Sequence, residues 1–172
     1  MGRFGEILTG LIILNALIFG CGKTTKPDAP DETFYINLTP ANITADVGDT
    51  LTLTGSINSV EGLFAISFDL VFDTSMVVFE SLTIPSNSIL GQNSISFSNQ
   101  IVDGVSVSIG RTQTSGNDNV SASGPLFVAK FIAISPGTTQ LQYRDVYIID
   151  ENGAENWELG GLEMRLTIIT IG

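Results

Sequence analysis

The sequence contains no histidine and only one cysteine, Cys21, and these absences exclude several kinds of chemistry. Without imidazole the chain has no Ser-His-Asp or Cys-His nucleophile, no histidine-ligated zinc and no side chain that ordinarily titrates near neutral pH. A single cysteine cannot form an intramolecular disulfide. Carboxylates are therefore the remaining candidates for acid-base chemistry.

Basic side chains are also scarce, since 7 Lys and Arg residues stand against 18 Asp and Glu residues and the formal net charge is −11. Binding to a nucleic acid needs clustered cations that displace counterions from the phosphate backbone. Seven scattered cations do not supply such a surface, so the composition argues against a nucleic-acid partner.

The rest of the composition favours strands and turns. The length of 172 residues suits one domain with a terminal extension, and only 15% of the residues are charged. Gly, Ser and Thr are abundant, while the apolar fraction of 43% argues against disorder. We therefore expect one compact β domain.

The N-terminus has the pattern of an export signal. Arg3 precedes an apolar stretch over residues 7–19, which ends in the motif IFGC at residues 18–21. The stretch is too short to span a hydrocarbon core of about 30 Å, which needs roughly 20 residues. The pattern resembles a bacterial lipoprotein signal peptide with its lipobox, and this resemblance implies that Cys21 becomes the lipidated first residue of the exported protein.

The next twelve positions, residues 22–33, contain two prolines and charges of both signs but no side chain to bury, which is typical of a flexible tether. We therefore divide the chain into a signal peptide (residues 1–21), a tether (residues 22–33) and a domain (residues 34–172). Two or more acyl chains are enough to anchor a protein stably. We therefore expect the lipid on Cys21 to be the only membrane attachment. The sequence predicts a lipid-anchored envelope protein exposed at the cell surface.

The domain is predicted to consist of strands, because apolar and polar residues alternate with period 2 between turn signals. In the clearest row, a slip of one residue would bury Ser67 and Asp69, so burial sets the register. That row contains Phe64, Ile66, Phe68, Leu70 and Phe72.

Other segments follow the same logic and supply further core rows. Asp103-Gly104 separates two of them and predicts a hairpin with a type I′ turn. About nine strands result, too many for one flat sheet and suited to two packed sheets, so the fold class is an all-β sandwich. The rows are Leu51 and Leu53; Ile95, Phe97 and Ile101; Val105, Val107 and Ile109; Phe127, Ala129, Phe131 and Ala133; Leu141 and Tyr143; and Met164, Leu166 and Ile168.

Five segments in this order resemble a cohesin domain across residues 34–172. The resemblance implies a nine-stranded jelly-roll β-sandwich that binds dockerin modules of secreted polysaccharide-degrading enzymes without catalysing a reaction. It thus implies a docking role in polysaccharide catabolism at the cell surface. The segments are VGDTLTLTGSI (47–57), GLFAISFDLVFDTSMVVFESLTI (62–84), the hairpin around VDGV (102–105), GPLFVAKFIAISPGTTQLQY (124–143) and VYIIDENG (146–153).

Cohesin-like domains dock their partners on one flat sheet face, and the resemblance places this face on the strands that hold Ser67, Ser106 and Gln140. The candidate residues of the face are short and polar, with few aromatic anchors of the kind that dominate tight interfaces. They are Ser67, Asp69, Ser106, Ser108, Arg111, Gln140, Gln142 and Arg144.

Two other functions stay open. The cohesin fold is related to carbohydrate-binding modules, and Trp157 is a candidate sugar platform because aromatic rings bury the apolar faces of sugars. The third reading is a purely structural envelope or adhesion module. Five carboxylates over residues 145–158 lack the spacing of an EF-hand loop, so we expect solvated turn charge and neither a metal nor a cofactor. A sandwich of this length has little material for the carboxylate cleft of a glycosidase, so we expect no enzyme and assign no catalytic residue.

Overall fold

The computed structural model describes residues 35–91, 93–111, 120–150, 152–153 and 162–172. The predicted signal peptide and tether, with Cys21, lie outside these ranges, as does Trp157. The segment Glu32–Gly172 forms one compact unit with its own hydrophobic core. Within the described ranges no helix is long and apolar enough to cross a bilayer.

The described residues form eleven strands in two sheets. The first sheet has the order β10-β1-β3-β8-β5, and the second has the order β2-β11-β9-β4-β7-β6. The strands are β1 (Tyr35–Thr39), β2 (Asn42–Ala45), β3 (Thr50–Leu63), β4 (Ala65–Val71), β5 (Val77–Thr83), β6 (Ser94–Ile101), β7 (Gly104–Arg111), β8 (Val120–Ala133), β9 (Gly137–Ile149), β10 (Glu163–Arg165) and β11 (Thr167–Ile171).

The predicted all-β sandwich is confirmed. The strand count differs from nine because the first and the last strand segments of the domain each break into two strands, one in each sheet. The chain passes from β1 in the first sheet to β2 in the second across a cis peptide bond at Thr39-Pro40. It makes the same change from β10 to β11 at Leu166. The end strands pair in parallel, β1 with β10 and β2 with β11, so each sheet contains both an early and a late strand.

The core lies between the sheets and is filled by the predicted rows of β3, β4, β7 and β8. Phe68 of the second sheet stacks on Phe127 of the first, with ring centroids 5.1 Å apart. Phe131 makes edge-to-face contacts with Phe72 and Phe79. The Phe68–Phe127 contact joins the two sheets through direct packing, whereas Phe79 and Phe131 are cross-strand neighbours within the first sheet.

The Tyr143 hydroxyl makes a hydrogen bond across the core to the opposite sheet. The buried Tyr143 hydroxyl of β9 donates a hydrogen bond of 3.2 Å to the Asn37 carbonyl of β1, in the opposite sheet. Burial raises the pKa of this phenol well above 10.0, so the group stays protonated and remains a donor. The bond adds a directional link between the sheets to the apolar packing.

Two predicted rows do not lie in the core. Ile95 and Phe97 of β6 are 48% and 70% exposed, so the prediction that this row is buried was wrong. In the hairpin, Phe97 lies opposite Ser108, and residues directly opposite each other share a face. Because Val107 and Ile109 of β7 face the core, Phe97 must face outward.

The C-terminal row is displaced by one residue. Met164, Leu166 and Ile168 are exposed, whereas Ile169 and Ile171 of β11 are buried. Thr167 is also buried, and its hydroxyl lies within hydrogen-bonding distance of the carbonyls of Leu38 and Pro40. The alternation was ambiguous because apolar residues occupy both faces of this strand.

The hairpin of β6 and β7 is confirmed, but its two-residue loop is Val102-Asp103 and not Asp103-Gly104, because Ile101 pairs with Gly104. Asp103 is held by contacts on both sides, since its carbonyl accepts from the Phe72 amide and its carboxylate from Arg144. A Cβ at Gly104 would collide with the Leu70 carbonyl. The glycine is therefore required by close approach of two backbones and not by a type I′ turn.

Candidate functional site

The outer face of the second sheet gathers seven of the eight predicted contact residues. Side chains of directly paired residues lie on one face, so the strand register lays them out in rows across β9, β4, β7 and β6. On this face lie Ser67, Asp69, Ser106, Ser108, Gln140, Gln142 and Arg144. Arg111, the eighth, ends β7 and lines a groove at one end of the same face.

Two neighbouring rows form this groove, which we call the apolar groove. One row runs Ile95, Gly110, Ala65, Ile149, and the other runs Phe97, Ser108, Ser67, Tyr147, where Tyr147 lies beside the groove and does not line it. In both rows the outer strands carry large side chains and the middle strands carry small ones. The result is a groove of about 310 Å³ with apolar walls and a floor of small residues.

The floor is flat because its side chains end at or near Cβ. The hydroxyl oxygens of Ser67 and Ser108 lie 3.0 Å apart and share a hydrogen bond, which leaves donor and acceptor capacity for a partner. Neighbouring strands lie about 4.8 Å apart, so three steps separate the walls on β6 and β9 by about 14 Å. The wall side chains narrow this space, so the groove can receive the side chains along one face of an α-helix, whose full width is about 10–12 Å.

The walls are the part of this site that sequence reasoning missed. Phe97 is a large exposed aromatic side chain, Tyr147 is 43% exposed, and each adjoins an apolar neighbour in the other row. The predicted site contained only the floor and the polar rows. The signal was present in the sequence, because the predicted hairpin already required that the apolar rows of β6 and β7 lie on opposite faces.

The polar end of the face is organised around Arg144. Its guanidinium donates to both carboxylate oxygens of Asp103, at 2.6 and 3.2 Å, and to Asp69 at 3.0 Å. Asp145 lies 3.5 Å from its Nε. The arginine thus connects β9, β4 and the β6–β7 turn, and its orientation is set before any partner arrives.

A bulge in β9 separates the apolar groove from this ion network. Two residues of β9, Asp145 and Val146, lie opposite the single residue Phe68 between the Ser67–Tyr147 and Asp69–Arg144 pairs. Asp145 takes a φ of 49°, a conformation that Asp tolerates better than most residues. The bulge lets Arg144 and Tyr147 both face outward although they are three residues apart.

The ion network predicts a pH-dependent contribution to stability. Hydrogen bonds from Arg144 hold the pKa of Asp103 below its ordinary value of 3.8. A lowered pKa in the folded state contributes stability that is complete above pH 3.8 and is lost as the pH falls through the folded-state pKa. In Arg144→Gln the two carboxylates also face each other without a cation. We expect the variant to melt at a lower temperature than wild type at pH 7.

The measurement is thermal unfolding of both proteins between neutral pH and pH values well below 3.8. We expect the difference in melting temperature to shrink with acidification, because the Asp103 carboxylate then becomes protonated and loses its ionic interaction with Arg144. Arg165→Gln is the matched control, since that arginine pairs with Glu163 on β10, away from this network. A difference for Arg144→Gln that stays constant over the whole pH range would contradict the interpretation.

A second, more polar groove lies at the other end of the face. It has a volume of about 490 Å³ and is lined by Gln140 and Gln142 of β9, with Val71, Asp73 and Ile168 nearby. The two glutamines are therefore separated from the floor serines by the Arg144 network. The predicted contact residues share a face but divide into an apolar groove, an ion network and a polar groove.

No cluster of three or more potential metal ligands occurs among the residues that the structure describes. Of the five carboxylates in the predicted acidic turn, Asp145 and Asp150 are described, and Asp150 accepts a hydrogen bond from the Asn152 amide. The other three, like Trp157, lie outside the described ranges.

A family model described as "Cohesin domain" matches residues 36–158. Among solved structures, a non-cellulosomal cohesin from Archaeoglobus fulgidus is 18% identical, with a TM-score of 0.61, and the match covers 81% of this chain and 90% of that one. A type I cohesin–dockerin complex from Clostridium thermocellum contains a chain that is 14% identical, with a TM-score of 0.63 and coverages of 86% and 99%.

A cohesin module of a family 33 glycoside hydrolase from Clostridium perfringens is also similar, at 10% identity and a TM-score of 0.64, with coverages of 81% and 97%. No curated protein matches the sequence. At these identities the solved structures establish the shared sandwich fold.

Proposed function

We propose that this chain, which belongs to the cohesin family, binds a dockerin-type module through the outer face of its second sheet and performs no catalysis. The observation that carries the proposal is the apolar groove on that face. Similar structures include cohesin–dockerin complexes, which supports a dockerin as the class of partner. The groove gives this chain its own means of binding a helical partner.

The groove combines the two parts that a protein interface needs. Ile95, Phe97 and Tyr147 offer apolar area that a partner helix removes from water, at about 25 cal/mol per Å². The floor serines offer hydrogen bonds that set the orientation of that helix. The aromatic wall also supplies the anchor that the predicted polar residues lacked.

Titration of residues 32–172 with the dockerins encoded in the same genome, with and without Ca²⁺, tests the proposal. We expect at least one dockerin to bind with a dissociation constant tighter than about 100 μM. Calcium is varied because dockerins are expected to carry EF-hand-like loops. Weaker binding to every dockerin under both conditions would remove the proposal.

Polysaccharide is the second candidate partner, because Phe97 and Tyr147 present two exposed rings on one face. Aromatic rings bury the apolar faces of sugars. Retention on insoluble polysaccharide that is lost in Trp157→Ala, while dockerin binding persists, would assign the sugar platform to Trp157. Equal recovery of wild type and variant would remove that platform.

We further propose that acyl chains on Cys21 anchor the exported domain to an envelope membrane. We expect Cys21→Ser to transfer the protein from the membrane fraction to the soluble extracellular or periplasmic fraction. The variant cannot carry acyl chains at this position, and even a single acyl chain gives only marginal membrane binding. Labelling with a radioactive fatty acid measures the modification directly. Wild-type protein that carries no label, or a Cys21→Ser variant that remains labelled, would contradict the anchor.

A further inference from the structure

Among the residues that the structure describes, the two sheets have four edge strands, and three of them carry features that prevent pairing with another strand. β10 has three residues, two of them charged, and β2 has four residues. β5 carries Glu80 and has a register shift between Phe79 and Ser81. Short length, charge and irregular register are the usual protections of an exposed edge.

The fourth edge, β6, has none of these protections. It has eight residues that pair with β7 in one unbroken register. No charged residue occurs in the sequence from Ser81 to Val102, although the chain has a net charge of −11. The strand is also exposed on both faces, since Phe97 lies on one and Ser98 on the other.

The hydrogen-bonding groups on the free side of β6 can be assigned from the neighbouring ladder. The Arg111 amide donates to the Phe64 carbonyl, and the Phe72 amide donates to the Asp103 carbonyl, so odd-numbered residues of β7 bond to β4. Bonding alternates in an antiparallel ladder, so even-numbered residues of β7 bond to odd-numbered residues of β6. The amides and carbonyls of Ser96, Ser98 and Gln100 therefore point away from the sheet.

We propose that this edge is a homodimerisation site, where β6 pairs antiparallel with β6 of a second copy about a two-fold axis. We choose a second copy as the partner because, in a two-fold antiparallel pairing, the outward N–H and C=O groups of one β6 bond to the same groups of the other β6. A two-fold pairing that joins the outward groups of Ser96, Ser98 and Gln100 also places Ile95 and Phe97 of both copies on one face, where they make cross-strand apolar contacts.

The absence of charged residues around β6 also favours self-association at this edge. Two copies that each carry a net charge of −11 repel each other wherever acidic residues face one another. The uncharged span that contains β6 lets two copies approach without bringing like charges together. Such a dimer joins two six-stranded sheets into one continuous sheet of two copies.

Sedimentation velocity of residues 32–172 at concentrations up to about 1 mM tests the proposal, since an edge contact of this size is expected to be weak. Ser98→Lys places like charges at the two-fold contact, and we expect it to weaken dimerisation by at least about tenfold. Thr83→Lys is the matched control, because it adds the same charge at the end of the protected edge β5. We expect this control to dimerise as wild type does.

Amide hydrogen exchange, measured by NMR, locates the contact. As concentration rises, the amides of Ser96, Ser98 and Gln100 should become protected, while those of Ile95 and Phe97, already bonded to β7, should change little. Wild type that stays monomeric, a dimer that Ser98→Lys leaves intact, or protection that spares these three amides would each overturn the proposal. Ser98 lies on the face opposite the apolar groove, so Ser98→Lys should still bind the dockerin, and the two proposals can fail separately.

Discussion

Phe127→Ala is expected to lower the free energy of unfolding by about 3–5 kcal/mol, the usual cost of removing a fully buried phenylalanine. Phe127 is completely buried on β8 and stacks on Phe68 of the facing sheet. Its ring also fills the space above Gly55, where a Cβ would collide with it. Truncation therefore removes the stacking on Phe68 and leaves a cavity beside Gly55, which has no side chain to fill it. Urea unfolding at neutral pH measures the loss.

The matched control is Phe97→Ala, which removes the same atoms from a side chain that is 70% exposed. This change should cost less than about 1 kcal/mol, as is usual for surface positions. Gly55→Ala tests the same packing from the other side, and overpacking should cost about 1–3 kcal/mol. Equal losses for Phe127→Ala and Phe97→Ala would contradict the described core.

Phe97→Ala is expected to have its large effect on binding, where it should weaken dockerin affinity by about 30-fold or more. This factor corresponds to about 2 kcal/mol, the threshold of an interface hot spot. The reason is that Phe97 is the largest exposed apolar side chain of the groove walls, so its loss removes one wall. Calorimetric titration with the dockerin found by the genome-wide test measures the change.

Gly110→Leu tests the groove by filling it. A Cβ at Gly110 would meet only the Ala65 Cβ, at 3.4 Å, so a larger side chain can stand on the floor without disturbing the sheet. We expect this variant to lose at least about tenfold in affinity and to melt at or above the wild-type temperature. Gln142→Ala, in the polar groove beyond Arg144, is the control and should change affinity by less than about threefold.

These variants separate two kinds of failure. Wild-type affinity in both Phe97→Ala and Gly110→Leu, together with a loss in Gln142→Ala, would move the docking site to the polar groove. Wild-type affinity in all three would move it off this sheet face.

Most of the fold could be predicted from the sequence because alternating apolar and polar residues show which face of each strand is buried. The row from Ile66 to Phe72 has large apolar residues on one face, while Ser67 and Asp69 lie on the other, so only one register buries the apolar set without burying these polar groups. The β11 segment did not allow this, because Leu166, Ile168, Ile169 and Ile171 place apolar residues on both faces. There the burial of Thr167, which depends on carbonyls more than a hundred residues earlier in the chain, decides the face.

The candidate site was half predictable for a related reason. Alternation with the core placed Ser67, Ser106 and Ser108 on the outer face, and the structure brings them together. Phe97 was assigned to the core because a large apolar residue is usually buried, although the predicted hairpin placed the apolar rows of β6 and β7 on opposite faces. Only its cross-strand pairing with Ser108 shows that it faces outward, and the split between groove and ion network depends on a bulge that no motif signals.

The small residues of the floor have an evolutionary consequence. Along β7, Val105, Val107 and Ile109 are buried in the core, while the alternating Ser106, Ser108 and Gly110 lie on the outer face that we propose for docking. Substitutions at the second set can change the depth and chemistry of the recognition surface while the first set keeps the fold intact. A single strand thus separates the residues that stabilise the fold from those that shape the outer surface.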